Sequence, residues 1–201
     1  MLAAGIDTTT TVLEWAMSEL LLHPQAMKQL QNEVREFTKD KTIIIDEDDL
    51  KSMKYLQAVI KEALRLHPPL PLLLFREPSQ NAKVCNYDIA AGTMVIVNAW
   101  AIHRHPALWD EPEAFRPERF LNNSVDVKDF KFIPFGAGRC GCPGISFATV
   151  KAELALANLV AEFEWKLPGE VQVDSFMAES SGASVHKRDP LIAIPTPYIR
   201  N

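Results

Sequence analysis

The chain has 201 residues, of which 47% are hydrophobic, and a formal net charge of −5; that is enough apolar content for a sizeable core and a length suited to one domain or a little more. The acid excess argues against a general nucleic-acid binder, because phosphate affinity comes from clustered Lys and Arg. Three cysteines, Cys85, Cys140 and Cys142, are too few and too oddly numbered for a disulfide framework, which points to a reducing compartment.

From Leu2 to Leu22 apolar residues recur at helical spacing, and His23-Pro24 ends the run. No capping residue precedes it, so the chain is expected to begin inside an element. A second amphipathic helix is expected over 25–37. Residues 39–49 read as a polar, acidic loop leading to a short helix, and the helical pattern returns over 54–66 until Pro68, Pro69 and Pro71 stop it. Strand-like pieces follow at 72–75, 82–85 and 93–98. Residues 103–132, rich in proline, aromatics and charge, read as irregular coil pinned by side chains. A last long helix is predicted over 144–163, with strand candidates at 163–167 and 191–194. No run approaches the ~20 uncharged apolar residues that cross a bilayer, and the start has no signal-peptide pattern. The expected class is mainly α with small β-sheets.

The stretch PFGAGRCGCPG over 134–144 places Cys142 in a glycine-rich loop just before a helix. Glycines let a backbone turn tightly beneath a flat cofactor and point amides at a sulfur. Pro143 suits a first helical turn, which sets the thiolate against a helix N-terminus. Phe135, seven residues ahead, is placed to shield the sulfur from water. Cys142 therefore reads as a haem ligand, against the ordinary alternative of a buried structural thiol.

Three further clusters accompany it. Glu62 and Arg65 lie three apart on one helix, a charge-assisted pair. Arg119 sits in FRPERF, 115–120, where proline and aromatics hold an arginine in place. AGIDTT, 4–9, joins small residues to a carboxylate beside a hydroxyl, although Asp7 and Thr8 alone are ordinary solvated helix residues. The five histidines, 23, 67, 103, 105 and 186, have no zinc-like spacing, and the leucines of 70–74 read as core by default.

In the order AGIDTT, EALR, FRPERF and PFGAGRCGCPG, the chain resembles the C-terminal half of a cytochrome P450 of the plant microsomal type. Connecting phrases such as Leu66-His67-Pro68-Pro69 and His186-Lys187 extend the likeness over nearly the whole chain. The resemblance implies a single P450 domain of which residues 1–201 are the C-terminal part, with an N-terminal membrane anchor and earlier helices lying outside it. It implies haem bound through Cys142, with Phe135, Gly136, Arg139, Arg76 and Gly144 around the cofactor, and Asp7 and Thr8 relaying protons to dioxygen. Glu62, Arg65 and Arg119 then form a structural charge network, and Leu72, Leu73, Leu74 and Ser181 face substrate. The register favours Cys142 over Cys140, since only Cys142 has Phe135 seven before it and Gly144 two after.

The implied activity is monooxygenation of a small lipophilic, specialised-metabolite substrate, with NADPH electrons arriving through a flavoprotein reductase docked near Lys128, Lys131 and Arg139. The implied location is the cytoplasmic face of the endoplasmic reticulum membrane, reached through the anchor. Two alternatives stay open: dehydration or rearrangement on the same haem-thiolate scaffold, and a truncated, non-catalytic haem-binding product. Two residues depart from the family pattern. Cys140 stands where an arginine usually meets a haem propionate, and Phe75 replaces a proline. The 201 residues alone are expected to be weakly active or inactive.

Overall fold

The computed structural model describes residues 2–38, 45–121, 125 and 129–199. It is mainly helical, with two small antiparallel sheets. Helix α1, Leu2–Leu22, buries Val12, Trp15, Ala16 and Leu20, one stripe of its C-terminal half, while Ala4 to Asp7 are exposed. Its threonine run survives inside a helix because the hydroxyls of Thr8, Thr10 and Thr11 donate to the carbonyls of Ala4, Ile6 and Asp7 at 2.7, 2.8 and 2.9 Å.

After His23, α2 runs Pro24–Thr38 and buries Met27, Leu30, Gln31 and Val34, with Pro24 in the first turn, where the missing amide hydrogen costs nothing. A short 3-10 helix, Asp49–Ser52, leads to α3, Lys54–Leu66, as expected. Of the loop predicted before it, 39–44 lie outside the described residues. Helix α3 is the centre of the core: residues on every face are buried, and Pro68 and Pro69 end it.

Strand β1, Ala82–Val84, pairs with β2, Tyr87–Ile89, through a two-residue turn at Cys85 and Asn86, both with positive φ. This is the backbone hand that a tight hairpin requires. The strands expected at 72–75 and 93–98 do not form. Only a single bridge joins Arg76 to Val95, because Pro71 and the positive φ of Leu73 (53°) break the first segment. The leucine segment is also not core: Leu72, Leu74 and Phe75 are exposed, as are Met94 and Ile96 across the bridge.

Helix α4, Ala99–His103, is capped by the Asn98 side chain, which accepts from Ala101 N at 2.9 Å. In the irregular stretch that follows, Pro117–Phe120 forms a 3-10 turn among the described residues. Helix α5, Ile145–Glu162, packs against α1, α2 and α3 and leads into β3, Phe163–Lys166. After the short α6, Val173–Phe176, β4 covers Ile194–Pro197 and pairs with β3. The strand expected at 191–194 is thus shifted toward the C-terminus. Arg35 ties α2 to this sheet by an ion pair to Glu164 at 2.6 Å and lies over the Tyr198 ring.

Candidate active site around Cys142

The cysteine loop is shaped by backbone bonds. Gly136 N donates to Ile133 O, Gly141 N to Gly138 O and Cys142 N to Phe135 O, at 3.0, 3.0 and 2.9 Å. Gly136 and Gly138 adopt φ of +73° and +72°, a conformation that costs a side-chain-bearing residue about 1–2 kcal/mol. Cys142 is exposed, and Gly144 N lies 3.4 Å from its sulfur, an amide aimed at the thiol. Gly144 is the N-cap of α5, so the sulfur does sit at a helix N-terminus. Pro143, however, precedes the helix rather than occupying its first turn; the tight turn that brings Gly144 N to the sulfur uses that residue. Phe135 is half-buried and packs against the core.

Arg76 reaches the same loop. Its bridge to Val95 fixes its backbone through bonds of 2.8 and 2.7 Å, and Nη2 donates to Cys140 O at 3.2 Å. A Cβ built on the buried Gly136 comes within 3.9 Å of Arg76 Nη2 and of Leu73 Cδ1. Arg139 and Cys140 are exposed.

Beneath the loop lies the charge network. Arg65 is fully buried, and all five of its donors have acceptors. Nε and Nη2 hold Glu62 at 2.8 and 2.9 Å, Nη1 donates to His103 O and Pro112 O, and Nη2 also reaches Ala114 O. Glu62 Oε1 also accepts from Arg119 Nε at 3.0 Å and from Arg116 N at 2.8 Å. The structure therefore brings Glu62, Arg65 and Arg119 together as the sequence suggests. It adds His103, whose Nε2 accepts from Ile133 N at 2.9 Å. Burial, with Arg65 and Arg104 nearby, pulls His103 down to about 4, so the ring stays neutral with its hydrogen on Nδ1.

On α1, Thr8 gives its hydrogen to Ala4 O, which leaves its oxygen lone pairs available as acceptors. Asp7 is turned toward the loop before β4. Its Oδ2 accepts from Ser184 Oγ at 3.0 Å and lies 3.5 Å from His186 Nε2. Ser181, in the same loop, is exposed. Lys128 lies outside the described residues. Lys131 sets its ammonium over the Trp109 ring at 5.5 Å.

Residues 1–193 match the family model described as Cytochrome P450. The chain belongs to the cytochrome P450 family. It is 55% identical over 196 residues to Cytochrome P450 71A8 of Mentha piperita, an alignment covering 96% of this chain and 39% of that protein. It is 52% identical over 200 residues to (+)-menthofuran synthase of the same plant, covering 98% and 40%. A zebra fish cytochrome P450 solved with progesterone superposes with a TM-score of 0.86 at 31% identity, covering 98% of this chain and 43% of that one. The chain spans about two fifths of the length of the curated relatives it matches.

Haem is the group that membership in the P450 family implies, and the residues present fit it. The Cys142 sulfur is exposed with an amide aimed at it, Gly136 keeps the loop free of a side chain, and an arginine is fixed beside them. The sequence reading missed His103, Ser184 and His186. His103 and His186 carry no spacing signal, because each acts on a partner far along the chain.

Proposed function

We propose that the protein bearing this chain is a haem-thiolate monooxygenase that inserts one oxygen atom of O2 into a small lipophilic substrate of plant specialised metabolism. The observation that carries the reading is the exposed Cys142 sulfur with Gly144 N at 3.4 Å, at the end of a loop bent by two positive-φ glycines. Bound there, haem supplies an iron whose thiolate ligation favours O–O cleavage.

The chain's own residues divide the remaining work. Cys142 is the ligand, and the Gly144 amide steadies its negative charge. Gly136 leaves room for the flat cofactor, and Phe135 limits water at the sulfur. Arg76 and Arg139 offer cations to the propionates. Asp7 holds a proton at Oδ2, and Thr8 accepts a hydrogen bond through its oxygen. Glu62, Arg65 and Arg119 keep the loop's foundation rigid.

Exposed Leu72, Leu74, Phe75, Met94 and Ile96, on either side of the Arg76–Val95 bridge, support a lipophilic substrate; Leu73 and Ser181 belong to the same substrate-facing set. Similarity to a protein named a menthofuran synthase supports a small organic molecule. Electrons come from NADPH through a flavoprotein reductase that docks near the cysteine loop, drawn by the charges of Arg139 and Lys131. The site of action is the endoplasmic reticulum membrane, reached through a segment outside this chain; among the described residues no helix is long and apolar enough to cross a membrane.

The reduced carbon monoxide difference spectrum tests the reading. The haem-loaded protein is expected to show the red-shifted Soret band of an iron-thiolate bond, and Cys142→Ser to lose it. A wild-type protein without that band overturns the proposal.

A further inference from the structure

The Asp7 carboxylate is held by a loop some 175 residues further along the chain. His186 inserts its ring along one face of α1, with Nδ1 at 2.5 Å from Thr11 Oγ1 and Nε2 at 3.5 Å from Asp7 Oδ2. Asp7 and Thr11 are four apart, so one helical face presents both. Ser184 Oγ donates to the same Oδ2 at 3.0 Å. The loop is fixed in turn: His186 N donates to Ser180 Oγ at 3.1 Å and Ser180 N to His186 O at 2.8 Å. Lys187, the adjacent cation, turns away to the rings of Trp15 and Phe176, and Glu14, one turn beyond Thr11, is engaged by Leu191 N at 2.8 Å.

Thr11 has one hydroxyl hydrogen, and it already goes to Asp7 O at 2.9 Å. A ring whose Nδ1 meets that oxygen must therefore be the donor, which puts a hydrogen on Nδ1. The other ring nitrogen, Nε2, faces Asp7 Oδ2 at 3.5 Å, so a second hydrogen carried there points at the carboxyl group.

Resting on the reading of Asp7 as the acid of the acid-alcohol pair, we infer that His186 is the positioning residue for Asp7 and resupplies its proton. The doubly protonated ring passes its Nε2 proton to Asp7 Oδ2, leaving a neutral imidazole with its hydrogen on Nδ1 and a neutral carboxyl. The 3.5 Å gap closes by rotation of the exposed Asp7 side chain or through one water. A hydronium ion from solvent restores the proton on Nε2; among the described residues the His186 side chain is 35% exposed. No electrons move.

The test compares wild type, Asp7→Asn, His186→Gln and the double variant in the haem-loaded full-length protein. Gln in place of His186 retains an amide that can hold Asp7 but exchanges no proton at neutral pH. His186→Gln is expected to keep the red-shifted carbon monoxide band and the melting temperature, while product formed per O2 consumed falls on the order of tenfold and the solvent deuterium isotope effect changes. The double variant is expected to be no worse than Asp7→Asn, because the two act in series. A His186→Gln protein matching wild type while Asp7→Asn is impaired overturns this inference alone, as does a double variant whose losses multiply. An unimpaired Asp7→Asn overturns the reading of Asp7 with it. If His186→Gln loses the carbon monoxide band, Thr11→Val and Thr11→Ser replace it: loss of coupling with Val and recovery with Ser support the inference, and equal coupling in both overturns it.

Discussion

His103 accepts the amide hydrogen of Ile133 through Nε2 at 2.9 Å while its own carbonyl takes a hydrogen bond from Arg65. One residue thus joins the buried charge network to the entry of the cysteine loop. Replacing it by Leu strands the Ile133 amide, and an unsatisfied buried donor costs about 1–3 kcal/mol. We expect His103→Leu to lower the melting temperature and speed haem loss, and His103→Gln, which offers a carbonyl oxygen, to recover part of both. Thermal unfolding and haem absorbance after dialysis are the measurements.

Arg65 is the least replaceable residue of the network. Lysine brings three donors to a site with five occupied acceptor bonds and lacks the planar fork. Removing one partner of a buried ion pair costs about 3–5 kcal/mol, so Arg65→Lys and Glu62→Gln are expected to fold poorly in soluble expression trials. Arg119, whose side chain is 9% exposed where those of Arg65 and Glu62 are fully buried, is expected to lose less on replacement by Lys.

Gly136 and Gly144 should respond differently to alanine. Gly136 needs φ of +73°, so Gly136→Ala is expected to cost about 1–2 kcal/mol through backbone strain. Gly144 has φ of −94°, and an added Cβ would lie 3.7 Å from the Cys142 sulfur. Gly144→Ala should therefore leave the melting temperature nearly unchanged and shift the Soret band instead. The reverse pattern would contradict the proposed use of both positions.

Two buried groups give stability opposite dependences on pH. His103 is lowered from 6.5 to about 4, chiefly by burial, so the unfolded chain binds the extra proton between those values and stability falls as pH drops from 6.5 toward 4. Glu153 is raised from 4.5 to about 7 by burial, so the folded chain binds the extra proton and stability falls as pH rises from 4.5 to 7. Glu153→Gln is accordingly expected to raise stability at pH 8 by on the order of 1–2 kcal/mol and to change little at pH 4.5. Melting curves across this range would show it.

Cys140 brings no cation to its place in the loop, and Arg76 already spends one donor on the Cys140 carbonyl. We expect Cys140→Arg to retain more haem than wild type after dialysis, because a cation there would offer a propionate a charge-assisted partner. Equal occupancy of the two proteins refutes this.

The helices were legible because their apolar periodicity and proline stops are local: α1 and α3 match their expected limits, and α5 differs by one residue at each end. The segments at 72–75 and 93–98 were misread because a short continuous apolar run does not reveal whether a strand has a partner. The hairpin turn at Cys85 and Asn86 carries no glycine to announce it. The Glu62–Arg65 pair was readable from spacing of three. The partners of Asp7 were not, since Ser184 and His186 meet it only through tertiary folding.

Helix α1 makes two kinds of contact along its length. Its second half lies in the core, through Val12, Trp15, Ala16 and Leu20, while Asp7 and Thr11 meet Ser184 and His186 of the 180–186 loop. A sequence change in that loop therefore reaches the Asp7 carboxylate without passing through the helix's buried half.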